Sequence, residues 1–315
     1  MDLEPTSDQL ALVEELRRFL TARVPRPALV TRELWDELDA MGVLALPVAE
    51  DAGGVGLGWA EAGLAFQELG RSGLAGPFVA TAVARSLGLA DGVTGLVAEP
   101  EPGASASGRV LVEHLDLLDS LLVVGRDEVR RVPLPLDGAR PVERPLDPLT
   151  PLHVIEALPT GDPVGDGDAA TRVAKAAGVL TAALQVGLGD AAVRMATAYA
   201  QERQQFGRPI GSFQALKHLL AEAVVGIEVA RAAVDAAAVT LDEDPGLAAA
   251  RAAASARVVA AHAAAQATEA CIQVHGGMGY TWELDAHLYF KRARVLDQSV
   301  PALDAALDHL AAVPS

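Results

Sequence analysis

The apolar residues of this chain follow two different periods, and the change of period divides the sequence into three parts. Up to about Leu89, apolar residues recur every three or four positions, which gives a helix one apolar face. The first such stripe consists of Leu10, Val13, Leu16 and Leu20. Ser7 is placed to cap this helix, Leu10–Val24. A second helix is predicted near Arg32–Met41, and Gly42 follows it as a C-terminal cap.

A glycine-rich segment, Leu46–Gly58, leads from these helices into a further helical pattern at Trp59–Leu69. By itself, a segment of this composition is typical of a flexible turn.

The middle of the chain, from about Asp91 to Pro159, is richer in Pro, Gly and Asp and contains short runs of Val and Leu. These runs predict three β-strands: Arg109–Val112, Ser120–Val124 and Val129–Val132. The segment Leu134–Leu152 carries five prolines and is predicted to be extended or looped. Because three strands are only marginally stable alone, the unit is expected to pack on helices.

The last part is helical almost throughout. Three long helical segments are predicted, with a shorter helix from Glu283: Ala169–Arg203, Phe213–Leu241 and Gly246–Val274. Long antiparallel helices joined by short loops form a bundle. The sequence therefore predicts a mainly α protein with an N-terminal helical domain (1–90), a reduced β middle domain with linker (91–160) and a C-terminal helical bundle (161–315).

Composition narrows the functional classes. The chain has 315 residues, of which 51% are hydrophobic but only 4% aromatic, so small aliphatic residues must pack the core. A net charge of −17 argues against nucleic acid and anionic membranes as partners. The longest apolar candidate, Gly246–Val274, is interrupted by charges, so no membrane span is expected. A single cysteine, Cys271, favours a reducing, cytoplasmic location.

Two interhelical segments carry residues that a plain bundle does not need. In Glu202–Gln214, Arg203 ends one helix, and Phe213 and Gln214 open the next. An arginine beside free helix N–H groups suits a pyrophosphate, and Phe206 offers a flat face for adenine. In Gln273–Tyr280, three glycines allow the backbone to approach a ligand closely. Taken separately, each segment also fits an ordinary turn with glycine caps.

Three stretches resemble the acyl-CoA dehydrogenase family. RQQFGRPIGSFQALKHLLAEA (203–223) is similar to one family signature, and CIQVHGGMGYTWELDAHLYFKRA (271–293) to a second. The stretch from Leu34 to Phe78 is similar to the opening helical domain of the family. The resemblance implies a helical domain, a small β-domain and a C-terminal four-helix bundle, with FAD at a subunit interface.

The resemblance also assigns binding residues. It places one set at the ADP half of a flavin held largely by a neighbouring subunit: Arg203, Gln205, Phe206, Phe213 and Gln214. It places another set near the same pyrophosphate and adenosine region: Gln273, Gly276 and Gly277. The implied reaction is α,β-dehydrogenation of an acyl-CoA thioester, in which a carboxylate removes the α-proton and the flavin takes the hydride.

The chain departs from the family at the catalytic base, so no catalytic residue is assigned. Val300 and Pro301 stand where the family's commonest base, a Glu followed by Gly, is expected. The alternative position in the first bundle helix corresponds to about Ala177. Asp297 lies three residues upstream of Val300 and fits either a substitute base or an ordinary capping residue.

A second departure lies in the middle domain. The family's flavin-contacting loop is represented only by Glu99–Gly103 and the following Ala104–Gly108, which we interpret as a linker. The platform for the flavin ring is therefore expected to be missing. This pattern resembles the smaller partners of heteromeric acyl-CoA dehydrogenases, several of which act on steroid side-chain thioesters.

The expected partners follow from this resemblance. They are an acyl-CoA substrate, a longer paralogue in an α2β2 assembly (or a homo-oligomer), and an electron-transfer flavoprotein or similar acceptor. Two alternatives stay open: a non-catalytic structural partner of the paralogue, and an oxidase or monooxygenase component on the same fold.

Two other groups of polar residues have compositions that are found in functional sites. His218 and Glu222 have metal-binding spacing but no further ligands, so no metal site is predicted. A polar and aromatic cluster fits either a subunit interface or an acyl pocket: Trp282, Glu283, Asp285, His287 and Tyr289.

Overall fold

The structure is a computed structural model and describes residues 4–99, 109–244 and 246–312. Within these ranges the fold is mainly α-helical, as predicted. The helices are α1 (Ser7–Arg23), α2 (Arg32–Ala40), α3 (Trp59–Ser72), α4 (Phe78–Ser86), α5 (Gly167–Glu202), α6 (Gln214–Glu243), α7 (Leu247–His275), α8 (Ala286–Leu296) and α9 (Leu303–Ala312).

Helix α1 begins at Ser7, three residues before the predicted Leu10, and its N-cap differs by one residue from the prediction. Thr6, not Ser7, is the N-cap of α1, because its hydroxyl accepts a hydrogen bond from the backbone N–H of Gln9 at 3.2 Å. The Gln9 side chain accepts from the Thr6 N–H at 2.9 Å, which completes a capping box. Gly42 follows α2 with φ of 76°, a left-handed conformation that favours glycine, as the C-cap prediction required.

The described middle part holds more strands than the three predicted, so that count was wrong. The strands of the described residues are β1 (Ala28–Leu29), β2 (Leu74–Ala75), β3 (Thr94–Ala98), β4 (Val110–Glu113), β5 (Ser120–Val124), β6 (Glu128–Val132), β7 (Arg140–Pro141), β8 (Leu152–Ile155), β9 (Asp162–Asp166), β10 (Gln204–Gln205) and β11 (Arg208–Pro209). In the middle part, β3-β5-β6-β9 form one sheet and β4-β8-β7 a second. Within these two sheets β3 and β5 pair in parallel, and the other described pairs are antiparallel.

The two sheets pack against each other and one also packs against the helices. Leu121 and Val123 of β5 point into the small core between the sheets, which includes Val112 and Ile155. Leu122, between them on β5, joins the main helical core instead. Strand β5 is therefore covered on both faces, which explains its unbroken run of apolar residues.

Helices α3 and α5 cross with their backbones in direct contact. A Cβ atom on Gly187 would lie 2.0 Å from the Gln67 carbonyl oxygen, and one on Gly70 would lie 2.1 Å from that of Leu184. This crossing fixes the N-terminal helices against the bundle.

Helix α5 is the central helix of the bundle. Among the described residues it alone is long and apolar enough to cross a membrane, and 94% of its most apolar 18-residue window is buried within the fold. The sequence analysis named Gly246–Val274 as the longest apolar candidate for a membrane span, but the helix that meets the length and composition criteria is α5.

Candidate functional site

The first interhelical segment forms a two-residue β-hairpin that projects from the bundle. Strands β10 and β11 pair antiparallel, with Gln205 opposite Arg208. Phe206 and Gly207 make the turn with φ of 52° and 76°, the signature of a type I′ turn. This conformation is rare for a bulky residue and costs free energy. The strained turn holds the Phe206 ring 92% exposed.

Arg203 lies at the base of this hairpin, immediately after α5. Its backbone N–H donates to the Tyr199 carbonyl at 2.8 Å, and its own carbonyl accepts from the Ile210 N–H at 2.8 Å. The backbone is thus fixed on both sides. The exposed guanidinium makes no hydrogen bond or ion pair with any residue that the structure describes.

The start of α6 faces the same hairpin. Phe213 occupies the N-cap position, makes no side-chain capping bond, and leaves the first N–H groups of α6 without intrahelical partners. The Arg208 guanidinium lies 4.2 Å from the centre of the Phe213 ring, and Phe206 meets that ring edge-on at 6.1 Å. Gln214 and Gln205 are exposed beside them.

The glycines of the second segment, Gln273–Tyr280, have two different roles. Gly279 is needed for packing, because a Cβ there would lie 2.7 Å from the Ile272 carbonyl oxygen. A Cβ on Gly276 or Gly277 would meet no atom within 4 Å, so these two residues border open space. Gly276 also needs its φ of 59° to end α7. Gln273 is exposed one turn earlier.

The fold brings the two segments to the same end of the bundle. They are joined by one apolar cluster, to which Ile210 contributes from the first segment and Ile272 from the second. The rings of Tyr199 and His275 stack across it with centroids 4.3 Å apart. The two segments that hold the eight residues singled out from the sequence therefore pack against one cluster at this end of the bundle.

The position expected for the catalytic base lies elsewhere, in a pocket between the sheets and the bundle. This pocket has a volume of about 180 Å³, and Val300 lines it together with Thr181 and Leu184 of α5. Ala177, the second expected base position, is fully buried in the main core. Neither position supplies a carboxylate.

Asp297 is held in a structural network outside that pocket. Its Oδ1 accepts a hydrogen bond from Gln185 Nε2 at 2.9 Å, and Gln185 Oε1 accepts from Arg257 Nη1 at 2.7 Å. Arg257 is fully buried and also donates to the Leu296 carbonyl. Burial lowers the pKa of Arg257 to about 10, and nearby Asp297 opposes this shift. Asp297 therefore acts as a counter-charge.

One carboxylate in the pocket was missed at the sequence level. Glu113, the last residue of β4, lines the same pocket as Val300. The alternation of the strand contains the signal, because Val110 and Val112 are buried between the sheets and so Leu111 and Glu113 point the other way. Burial raises the pKa of Glu113, and Arg292 partly offsets this.

Two other predictions have different outcomes. The proposed linker, apart from Glu99, falls on residues 100–108 and lies outside the described residues. In the polar and aromatic cluster, Trp282 is 70% exposed, whereas Tyr289 is buried. Asp285 pairs with Arg26 of the N-terminal domain at 2.6 Å.

Comparison with known proteins relates both helical regions to one family. The family profile described as acyl-CoA dehydrogenase, N-terminal domain, matches residues 6–92, and that of the C-terminal domain matches residues 165–298. Acyl-CoA dehydrogenase IpdE2 of Mycobacterium tuberculosis is 35% identical over 268 residues, covering 82% of this chain and 80% of that protein.

Solved structures share the fold over the whole chain. The ChsE4-ChsE5 complex from Mycobacterium tuberculosis contains a chain that matches with a TM-score of 0.84 and 23% identity, covering 100% of both chains. Butyryl-CoA dehydrogenase from Megasphaera elsdenii matches with a TM-score of 0.80 and 19% identity over 99% of both chains. At these identities the likeness concerns the fold.

Proposed function

The chain belongs to the acyl-CoA dehydrogenase family, and on that premise we propose that it is the shorter subunit of a heteromeric enzyme. Its activity class is acyl-CoA dehydrogenase and its cofactor is FAD. In this proposal the chain supplies the ADP-binding half of a flavin site whose other half comes from a longer paralogue. The observation that carries it is the exposed, internally unpaired Arg203 beside the strained Phe206 turn.

The surface at the end of the bundle fits the ADP part of FAD. Arg203 offers an uncommitted guanidinium, and the first N–H groups of α6 offer further donors for a pyrophosphate. Phe206 presents an aromatic face, and Gly276 and Gly277 leave space for a close approach. Because these groups all point away from their own chain, they suit a flavin that enters from a neighbour.

The pocket between the sheets and the bundle is a poorer fit for a flavin ring than the end of the bundle is for ADP. Its 180 Å³ lies below the roughly 300 Å³ at which pockets for larger organic ligands begin. The carboxylate of Glu113 also lines it. These features support the proposal that this subunit does not bind a flavin ring of its own.

The division of labour in the reaction follows from these two regions. FAD, when bound, supplies the redox step of α,β-dehydrogenation. The residues of this chain contribute cofactor binding and orientation through Arg203, Phe206 and the glycine turn. With Val300 and Pro301 at the usual base position, we assign removal of the α-proton to a carboxylate of the longer partner. A positioned base is worth about 10²–10⁴-fold in rate, so a partner must provide it.

The proposed partner is a longer acyl-CoA dehydrogenase in an α2β2 assembly. The ChsE4-ChsE5 structure, a complex with the same fold, supports pairing between chains of this kind. The substrate is an acyl-CoA thioester, and the electron acceptor is an electron-transfer flavoprotein or a similar protein. A cytoplasmic location is consistent with these partners.

Reconstitution tests the proposal. The chain is expressed alone and together with longer paralogues encoded nearby, and FAD per chain and acyl-CoA oxidation are measured with an artificial electron acceptor. We expect activity and bound FAD only in a co-purified pair. One FAD per subunit and full activity in the isolated chain would contradict the proposal, and oxygen consumption without the acceptor would indicate an oxidase instead.

A further inference from the structure

A second cavity lies between the N-terminal helices and the bundle. Its volume is about 420 Å³, which falls in the range of roughly 300–1,000 Å³ that is usual for organic ligands. The end of α1, the segment that follows it, the end of α3 and the start of α8 line the cavity. Among the described residues it shares none with the pocket that Val300 lines, and none with the eight proposed to bind the cofactor.

Arg71, in the last turn of α3, lines this cavity with donors that the described fold does not use. Its side chain is only 19% exposed, and its Nε–H is buried without a hydrogen-bond partner among the described residues. Its Nη atoms lie 3.3 Å from an Asp190 oxygen and 3.4 Å from a Glu68 oxygen, which are ion-pair contacts without a hydrogen bond. Burial lowers the pKa of Arg71, and the two carboxylates oppose this shift. The guanidinium is therefore short of acceptors.

Both carboxylates that approach Arg71 are hydrogen-bonded to other arginines. Glu68 accepts two hydrogen bonds from Arg17, at 3.0 and 2.8 Å. Asp190 accepts one from Arg194 Nε at 2.8 Å. Because neither carboxylate depends on Arg71 for these hydrogen bonds, Arg71 can bind a further acceptor while the bonds stay in place.

The other walls of the cavity are apolar or offer a further donor. Leu20, Val24 and Met195 are among the apolar lining residues. Tyr289 also lines the cavity, and its hydroxyl donates to the Arg71 carbonyl at 3.5 Å, the outer limit of a hydrogen bond. Burial raises the pKa of Tyr289 to about 12, so the phenol keeps its proton at neutral pH. It can therefore donate to a ligand that offers a closer acceptor.

The charges at the cavity favour a ligand with one negative charge. Three arginines and two carboxylates line it, which leaves one positive charge in excess: Arg17, Arg26, Arg71, Glu68 and Asp285. A phosphate group carries about −1.5 to −2 charges at pH 7, so it exceeds this excess and is repelled by the two carboxylates. A carboxylate carries a single charge, and its two oxygens match the planar fork of a guanidinium.

We propose that this cavity binds a small organic carboxylate with a compact apolar body, whose carboxylate is held by Arg71 and by the Tyr289 hydroxyl. The apolar body packs against Leu20, Val24 and Met195. This site is distinct from the proposed cofactor half-site, and it does not depend on pairing with a longer subunit.

Benzoate and benzamide test the charge requirement, because the two molecules have nearly the same size and shape. They are titrated into the full chain, with its partner present if assembly requires it, and the ¹³C methyl signals of methionine are followed. Of the 4 methionines, Met195 lines the cavity, whereas Met41 and Met278 do not and serve as internal references. We expect benzoate to shift the Met195 signal alone and to bind about tenfold more tightly than benzamide, because it forms charge-assisted hydrogen bonds.

Substitutions at Arg71 separate ligand binding from a structural role. In Arg71→Gln the charge is lost, and we expect benzoate to bind no more tightly than benzamide. Arg71→Lys keeps the charge without the planar fork and should retain part of the preference. Arg18→Gln is the matched control, because Arg18 is an exposed arginine of α1 that pairs with Glu15 and does not line the cavity. Its preference for benzoate should equal that of the wild type.

A substitution at Tyr289 provides a second test, which also serves if Arg71→Gln does not fold. Tyr289→Phe removes only the hydroxyl, and we expect it to weaken benzoate binding by about 2–10-fold while benzamide binding changes less.

Four results would overturn the proposal. The first two are equal affinity of the wild type for both probes and a Met195 signal that stays in place at millimolar benzoate. The third is full benzoate preference in Arg71→Gln with reduced stability, which would make Arg71 only an ion-pair partner of Glu68 and Asp190. The fourth is binding of inorganic phosphate as tight as that of benzoate, which would indicate a general anion site. Absence of activity in the reconstituted pair would bear on the proposed dehydrogenase assembly alone.

Discussion

Two regions of the molecule differ in the way their charged side chains are paired. At the end of the bundle, Arg203 and Phe206 are exposed, and the Arg203 guanidinium makes no hydrogen bond or ion pair with a described residue. Next to the pocket between the sheets and the bundle, Arg257, Gln185 and Asp297 are buried and joined by hydrogen bonds through Gln185. We infer that the first region binds a group from another molecule, whereas the second region stabilises the fold around a small pocket.

The largest expected change in stability comes from a substitution in the buried network of Arg257, Gln185 and Asp297. Arg257→Leu leaves the Gln185 side-chain oxygen and the Leu296 carbonyl without their buried donor, and each buried acceptor left unpaired costs about 1–3 kcal/mol. We expect a loss of this size in the free energy of unfolding, measured by urea denaturation. The control is Arg251→Leu, an exposed arginine on the same helix, which is expected to change stability by less than about 0.5 kcal/mol. Equal stability of the two variants would show that the network does not stabilise the fold.

The buried side should also respond to acid through His114. This residue is buried at the end of β4, and burial, with a smaller contribution from Arg292, lowers its pKa from 6.5 to about 3. The fold therefore favours the neutral ring, and the stability gained above pH 6.5 is lost as pH falls towards 3. The slope from this one group is about 1.4 kcal/mol per pH unit.

Substitution isolates that contribution. His114→Asn, chosen because asparagine tolerates the φ of 53°, is expected to reduce the pH slope of the unfolding free energy by one proton between pH 6.5 and 4. His262→Asn makes the same replacement at an exposed position on α7 and is the matched control. An unaltered slope in His114→Asn would mean that His114 is already charged in the fold.

The smallest effect is expected at the exposed turn. Phe206→Gly removes the strain of a bulky residue at positive φ and should raise the free energy of unfolding by roughly 0.5 kcal/mol. Phe206→Ala, which keeps a Cβ, should not. Both variants should weaken FAD binding by the assembled enzyme, measured by fluorescence titration. Loss of stability in the glycine variant would indicate that the ring serves the fold and not a ligand.

The helices were predictable because alanine-rich, periodic segments carry their own signal. The long bundle helices begin and end within a few residues of the predicted limits. Strand β9 was not predictable from its own sequence, DPVGD, because it is formed by pairing with β6 and not by an apolar run. The domain limits set at residues 90 and 160 remain a prediction, although β9 lies beyond the second one.

The sequence predicted the residues at the end of the bundle better than those of the pocket between the sheets and the bundle. The eight residues from Arg203 to Gly277 were singled out because their two segments carry glycines and charges that a plain bundle does not need, and their role in cofactor binding remains a prediction. Glu113 was not found, since the face on which it lies depends on how β4 packs on β5, which only the fold reveals.

The most direct test of the central claim is FAD binding by an assembly that carries Arg203→Ala in this chain alone. Because the guanidinium is proposed to bind the pyrophosphate of a flavin held by the partner, its loss should weaken FAD binding by about 10–100-fold, while urea stability stays unchanged. Arg251→Ala, at the other end of the bundle, should bind FAD as the wild type does. Wild-type FAD affinity in the Arg203→Ala assembly would contradict the account.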